Sequence, residues 1–202
     1  MSNHITKLIL ASSSPRRKEL LTRLGLPFDT LAADIDETKR PNESPSIYCK
    51  RMAFEKALVI QMKQTSALVL GSDTSVVLGD TVLGKPADRT TAIAILEQLS
   101  GQIHQVITSV CLLSPENVAE IEVISKVQFA KLSRQQIESY CDTDEPYDKA
   151  GSYGIQGLGG VFVQHIDGDY SAIMGLPLNA TWNLLQSYYS AIQSQATAIN
   201  DA

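Results

Sequence analysis

Ser12, Ser14, Arg16 and Arg17 form the first group of residues in this sequence whose types and spacing suit chemistry. They follow a short apolar stretch, residues 7–11, that reads as a buried strand. Strand, serine-rich turn and helix start bring backbone N–H groups and the positive helix end to one point, an arrangement that receives anions. Arg16 and Arg17 fall in the first helical turn, where the macrodipole disfavours a cation by up to about 1 kcal/mol. Two guanidinium forks beside the Ser12 and Ser14 hydroxyls make sense there if a phosphate fills the space. The competing reading is two solvated surface arginines. The segment lacks the glycines and terminal Lys-Ser/Thr of a P-loop, and it is not a dinucleotide-binding fingerprint.

Asp73 is the second candidate. It follows the apolar stretch 67–71, which reads as a strand ending at Ser72-Asp73-Thr74. Open α/β sheets collect ligands at the C-terminal ends of their strands. A carboxylate there can orient and deprotonate water, or hold a hydrated divalent cation. The competing reading is a turn aspartate bonded to nearby backbone. Glu37, Lys56 and Lys85 add charge nearby in sequence, although each taken singly reads as a solvated surface residue. His4, His104 and His165 have no metal-ligand spacing with one another or with the cysteines, so a zinc site is not expected. His104, set among apolar residues, reads as a satisfied structural histidine. The acidic stretch Asp142, Asp144, Glu145, Asp148 reads as a solvated loop, with a metal site as the alternative.

Several elements must position these residues. Ser14-Pro15 and Ser44-Pro45 each start a helix, and Gly25 ends the first. Residues 28–32 read as a short strand. Gly79-Asp80 is a two-residue turn between strands at 75–78 and 81–83. A helix over about 88–99 and long strands at 103–113 and 118–130 follow. Ser133 with Gln136 makes a capping box for a helix reaching Cys141. Residues 142–160 form a long loop of a kind that is usually functional. Strands are expected around 161–166 and 169–174, then a last helix and a frayed polar tail from about 193 to 202. The reading is α/β with a mixed central sheet and flanking helices, one domain over 1–202.

The chain has 202 residues, with 17 Lys and Arg against 22 Asp and Glu, a net charge of −5. That balance argues against nucleic acid as a partner. Residues 1–63 nevertheless hold 11 cationic against 7 anionic side chains, and residues 64–202 hold 6 against 15. A basic third inside an acidic chain points to a local anion site. Three widely spaced cysteines read as reduced, buried thiols. The N-terminal apolar stretch is too short for a signal peptide, and no run is long enough to span a membrane. A cytoplasmic location is the expectation.

Taken in order, the motifs Leu10-Ala-Ser-Ser-Ser-Pro-Arg-Arg17, Gly71-Ser-Asp-Thr74, Gly84-Lys-Pro86, Leu99-Ser-Gly101 with His104, Asp148-Lys-Ala-Gly151, Tyr153-Gly-Ile-Gln-Gly157 and Gly175-Leu-Pro177 resemble the Maf family. The resemblance runs from about residue 7 to 185. Each motif alone is weak, whereas the ordered set is highly specific. The resemblance implies a nucleoside triphosphate pyrophosphatase in which water attacks the α-phosphorus, with a divalent cation (Mg²⁺ or Mn²⁺). It implies a fold similar to inosine triphosphate pyrophosphatases, with two lobes around a cleft, and a homodimer. By motif position, Asp73 is the implied proton acceptor. Ser12, Arg16, Arg17, Lys56 and Lys85 are the implied phosphate ligands, and Glu37 with Asp73 the implied metal ligands.

The resemblance implies three positions that track base preference within the family: Arg16, Thr74 and Gln156. Their combination here resembles the branch acting on dTTP, UTP and modified pyrimidine nucleotides. The branch preferring 7-methyl-GTP typically has Trp and Gln at the first two. Gln156 offers a donor and an acceptor, suiting the mixed edge of a uracil ring. The alternative function is a nucleotide-binding regulator of septum formation without significant turnover. A kinase is disfavoured by the absence of its glycine-rich loops.

Overall fold

The computed structural model describes the backbone of residues 7–200 and the side chains of residues 7–191. Strand β1 (Leu8–Leu10) is apolar at every position because it is buried on both faces. Helix α1 (Pro15–Thr22) starts where expected, with the Ser14 side chain accepting from the Arg17 N–H and Pro15 in the first turn. The short strand β2 (Asp29–Thr30) pairs parallel with β1, over less length than the sequence suggested. Helix α2 (Pro45–Gln61) is capped by Ser44 and leads into β3 (Leu68–Leu78).

β1 lies between β2 and β3, parallel to both. Leu20 and Leu21 of α1 pack with Leu8, Leu10, Leu68 and Leu70, while Ala53, Ala57 and Ile60 of α2 pack with Ile9 and Val69. The two helices therefore cover opposite faces of the sheet, and strand order reverses at β1. A crevice opens at such a reversal, beyond the strands' C-terminal ends.

β3 corrects one expectation. It does not end near Asp73 but runs unbroken for 11 residues, with Asp73 inside it and opposite Ser109. The apolar run stops at Gly71, yet β5 (Ile103–Leu113) supplies an antiparallel ladder from Val69 to Val77. On its other edge, β3 pairs with β1 at residues 68–70 and with β4 (Thr81–Leu83) at residues 76–78. Residues 71–75 are left open on that edge. Polar Ser72, Asp73 and Thr74 thus sit where the sheet has a notch.

Beyond β5 the sheet continues antiparallel through β6 (Val118–Phe129) and β7 (Val163–Asp167). Its order is β2-β1-β3-β5-β6-β7, with β4 attached to β3. The fold is a mixed α/β sheet flanked by helices, as expected. Helices α3 (Arg89–Leu99) and α4 (Arg134–Cys141) close one end, α4 with the expected capping box. One apolar cluster holds Val76, Leu83, Leu96, Val106, Phe129 and Phe162; another holds Leu8, Leu20, Leu70, Val110, Leu112 and Leu185. The β3 notch lies between them.

Two other segments differ from expectation. Residues 170–174 form helix α5 (Tyr170–Met174) instead of a strand, because the Asp169 carboxylate accepts from the Ser171 and Ala172 N–H groups and starts a helical turn. The backbone of α6 (Leu178–Asn200) stays helical through most of the segment expected to fray, where no Gly or Pro interrupts it. The tail's last two residues, 201–202, lie outside the described residues. The segment 142–160 is not structureless either, since it holds short 3₁₀ turns at Glu145–Asp148 and Ala150–Ser152, with a third starting at Leu158. Cys49, Cys111 and Cys141 are buried and unpaired. No helix among the described residues is long and apolar enough to cross a membrane.

Candidate active site

A cavity of about 750 Å³ opens at the β3 notch. Its lining includes Ser12, Arg16, Arg17, Glu37, Lys56, Asp73, Thr74, Lys85 and Gln156, so residues spread over most of the chain meet in one place. Side chains alternate along β3, and the open edge exposes both faces. Asp73 points toward the α2 side, Thr74 toward the α1 and α5 side.

On the α2 side, Lys56 Nζ lies 2.7 Å from Asp73 Oδ1 and 2.7 Å from Glu37 Oε1. The Lys56 and Asp73 side chains are each only 10% exposed, whereas Glu37 is 49% exposed. Gly71 explains how the lysine gets there. A Cβ at Gly71 would stand 2.2 Å from the Ala53 carbonyl oxygen and 2.9 Å from the Ala57 amide nitrogen. With no side chain at 71 and only methyl groups at 53 and 57, α2 settles against the sheet. Lys56 then reaches the carboxylate two residues along the same strand face. Burial pushes the Glu37 carboxyl up, but the hydrogen bond and charge of Lys56 outweigh it and leave a net lowering. Tyr48 closes this side, its hydroxyl donating to the Glu37 carbonyl at 2.9 Å. Burial pushes the Tyr48 phenol up to about 12.

On the other side, Arg17 donates from Nε to the Gly175 carbonyl at 2.9 Å and from NH2 to Thr74 Oγ1 at 3.2 Å. Thr74 Oγ1 is 3.0 Å from Thr108 Oγ1, and Thr108 donates to the Ala172 carbonyl at 2.7 Å. The polarity of this chain is fixed. Thr108 spends its single hydrogen on a carbonyl that can only accept, so Thr74 must donate to Thr108 and accept from Arg17. The Thr74 hydroxyl therefore has no hydrogen left for a ligand, and its part is to aim the guanidinium. Arg17 forms no ion pair with a carboxylate among the described residues, although burial pulls its pKa down. Even so lowered, a guanidinium keeps its charge at neutral pH. Its remaining donors are available to an anion.

The rim carries further charge. Arg16 pairs with Asp148 at 3.1 Å. Exposed Lys85 has no ion-pair partner among the described residues. The Ser14 N–H bonds Ser12 Oγ at 3.1 Å, shaping the turn before α1. Gln156 projects from the segment 154–159, and its side chain makes no hydrogen bond among the described residues. Behind it, Tyr153 bonds His104 Nε2 at 2.9 Å and stacks edge-on with Phe129. His104 Nδ1 has no partner among the described residues, so this histidine is only half satisfied there; burial pulls its pKa down to about 4.

Sequence reasoning missed several residues here. Thr108 lies mid-strand with nothing to mark it. Asp148 and Glu145, read as part of a solvated acidic loop, are engaged: Asp148 meets Arg16 and Lys149, and Glu145 binds backbone N–H groups. Asp142, paired with Arg89, and Asp144 are exposed as expected.

Five cations (Arg16, Arg17, Lys56, Lys85, Lys149) and four carboxylates (Glu37, Asp73, Glu145, Asp148) line the cavity. Glu37 and Asp73 each spend one oxygen on Lys56, and neither second oxygen has a partner among the described residues. Two such hard-oxygen donors, completed by phosphate oxygens and water, suit Mg²⁺ or Mn²⁺. Among the described residues no group of three or more His, Cys, Asp or Glu side chains converges as a complete cage. A cation here would take its remaining ligands from substrate and solvent.

Comparison with known proteins accords with this geometry. The family model described as Maf-like protein matches residues 7–188. A dTTP/UTP pyrophosphatase of Hahella chejuensis is 48% identical over 185 residues, 90% of this chain and 92% of that relative. Proteins of the same name from Pseudoalteromonas atlantica and Alcanivorax borkumensis are each 52% identical, covering 88% and 89% of this chain and 95% and 94% of theirs. Among solved structures, the Staphylococcus aureus Ham1 protein is 12% identical with a TM-score of 0.42, covering 62% of this chain and 72% of that one. By the family match and these identities, the chain belongs to the Maf-like protein family.

Proposed function

We infer that this chain is a nucleoside triphosphate pyrophosphatase that hydrolyses dTTP and UTP, and related modified pyrimidine nucleotides, to the monophosphate and pyrophosphate. One observation carries the reading: a carboxylate at the cavity floor, Asp73, is gripped by Lys56 and shares the cavity with Arg17 and Lys85, two cations without carboxylate partners among the described residues. The relatives named dTTP/UTP pyrophosphatase support the base preference.

The residues divide the work. A substrate carrying about four negative charges draws on Arg16, Arg17, Lys56 and Lys85, and on the N-terminus of α1, for neutralisation. Arg17 enters already aimed by Thr74. Lys56 can exchange a carboxylate for a phosphate oxygen. Glu37 and Asp73 would hold the divalent cation, which screens phosphate charge and polarises the phosphoryl oxygens when bound. Once Lys56 turns to a phosphate oxygen, Asp73 has Oδ1 for the cation and its other oxygen to orient water, whose proton it takes as the water oxygen attacks the α-phosphorus. The bond from that phosphorus to the bridging oxygen breaks, and pyrophosphate leaves with the electron pair. Gln156 reads the uracil or thymine edge with one donor and one acceptor.

The resemblance further supports a homodimer, for which light scattering should give about twice the 22.0 kDa of one chain. It also supports a cytoplasmic location, where nucleotides are at hand. The test of function is a product-resolved screen of natural and modified nucleoside triphosphates, with and without Mg²⁺. Pyrophosphate and monophosphate from dTTP and UTP are expected. Tight binding without pyrophosphate release would favour a regulator instead, and orthophosphate or a phosphorylated acceptor would favour a kinase.

A further inference from the structure

Gln156 stands at the apex of a tight backbone curl, residues 154–159, and nothing among the described side chains holds its amide. Its direction therefore depends on how the curl itself is held. Glu145 fills the inside of that curl. Its Oε2 accepts the Leu158 N–H at 2.8 Å, and its Oε1 accepts the Gly159 N–H and the Tyr140 hydroxyl, both at 2.9 Å. Tyr140 in turn accepts the Gly154 N–H at 3.1 Å. Both ends of the curl thus converge on one carboxylate, directly or through one phenol.

The glycines show how close the approach is. A Cβ at Gly157 would stand 2.2 Å from Glu145 Oε2, and one at Gly154 2.8 Å from Oε1. A Cβ at Gly159 would stand 2.9 Å from the Tyr140 hydroxyl oxygen. The backbone wraps the carboxylate with no side chain between them. Only an acceptor at both oxygens fits, because a carboxamide would turn an NH₂ toward one of the N–H groups. Lys149 ties down the other end of Glu145, donating to its carbonyl at 2.6 Å.

We propose that Glu145 is the positioning residue for base selection: by gathering the backbone of residues 154–159 it sets the direction in which Gln156 meets the nucleobase. The proposal rests on the reading of Gln156 as the base contact. It assigns Glu145 no contact with substrate.

A double-mutant cycle tests it, with Glu145→Gln, Gln156→Ala and the double variant assayed for kcat and KM on UTP and CTP. Glu145→Gln is expected to lower the UTP-over-CTP preference about tenfold, mainly through KM. Added to Gln156→Ala, it should change the preference little further. Equal loss on both substrates, or full additivity in the double variant, overturns the proposal. If Gln156→Ala leaves preference intact while Glu145→Gln alters it, the base contact lies elsewhere in the curl; the reading of Gln156 then falls and the positioning role stands. If neither alters it, both fall. Tyr140→Phe, which removes the phenol that joins Gly154 to Glu145 and leaves the direct Leu158 and Gly159 bonds, covers the case of a poorly folded Glu145→Gln. It should shift preference in the same direction by less, and an unchanged preference there overturns the proposal.

Discussion

Lys56 donates to Asp73 Oδ1 at 2.7 Å across the gap between α2 and β3, and this contact organises the cavity floor. It fixes which oxygen of Asp73 remains for water, and it places a cation where two carboxylates and a triphosphate compete for it. Lys56→Met leaves Glu37 and Asp73 facing one another without the ammonium. In a dTTP assay, kcat/KM is expected to fall by about a hundredfold or more. Lys56→Arg should recover little, since a planar fork does not replace a compact ammonium between two carboxylates.

Gly71 is the hinge of that geometry although it touches no substrate. In Gly71→Ala the new methyl meets the Ala53 carbonyl, so α2 must lift away from the sheet. Urea denaturation is expected to show a loss of about 2 kcal/mol. Activity measured under folded conditions should fall as well, because Lys56 moves with the helix.

Much of the fold could be read from local signals. Ser14, Ser44 and Ser133 with Gln136 start their helices as their side chains dictate, and Gly79 with φ 61° makes the hairpin turn. What could not be read was decided by partners far away in sequence. β3 continues through Ser72, Asp73 and Thr74 because β5 pairs with it, a fact absent from the residues themselves. Residues 170–174 are too few to show a period, and the Asp169 cap decides for helix. At the site, residues in recognisable motifs were found, whereas the roles of Thr108 and Glu145 depend on contacts 64 and 14 residues away and were not legible. Four glycines among residues 154–160 signal the role of Glu145, marking backbone in close approach.

Thr108 offers a test of the hydroxyl chain. Thr108→Val takes one of two donors from the Ala172 carbonyl, which keeps the Gly175 N–H, and leaves the Thr74 hydroxyl without its acceptor, which costs about 1 kcal/mol of stability. With Thr74 free to reorient, Arg17 loses its fixed aim, and KM for dTTP is expected to rise more than kcat falls. Thr108→Ser keeps the hydroxyl and should restore KM.

His104 gives the fold a pH dependence. Its folded pKa of about 4 lies below the ordinary 6.5, so between those values the unfolded chain binds more protons. Stability should be fully present above pH 6.5 and decline as pH falls toward 4, by on the order of 3 kcal/mol. His104→Phe should flatten that part of a stability-versus-pH curve measured by chemical denaturation.

Asp73 bears the central claim, and Asp73→Asn keeps its shape while removing its capacity to take a proton. The decisive measurement is pyrophosphate released from dTTP in excess Mg²⁺ by wild type and by Asp73→Asn, with nucleotide binding measured alongside. A loss of kcat of about a hundredfold or more with dTTP still bound is the expected result. Turnover within about twofold of wild type would show that water is activated elsewhere and remove Asp73 from the chemistry.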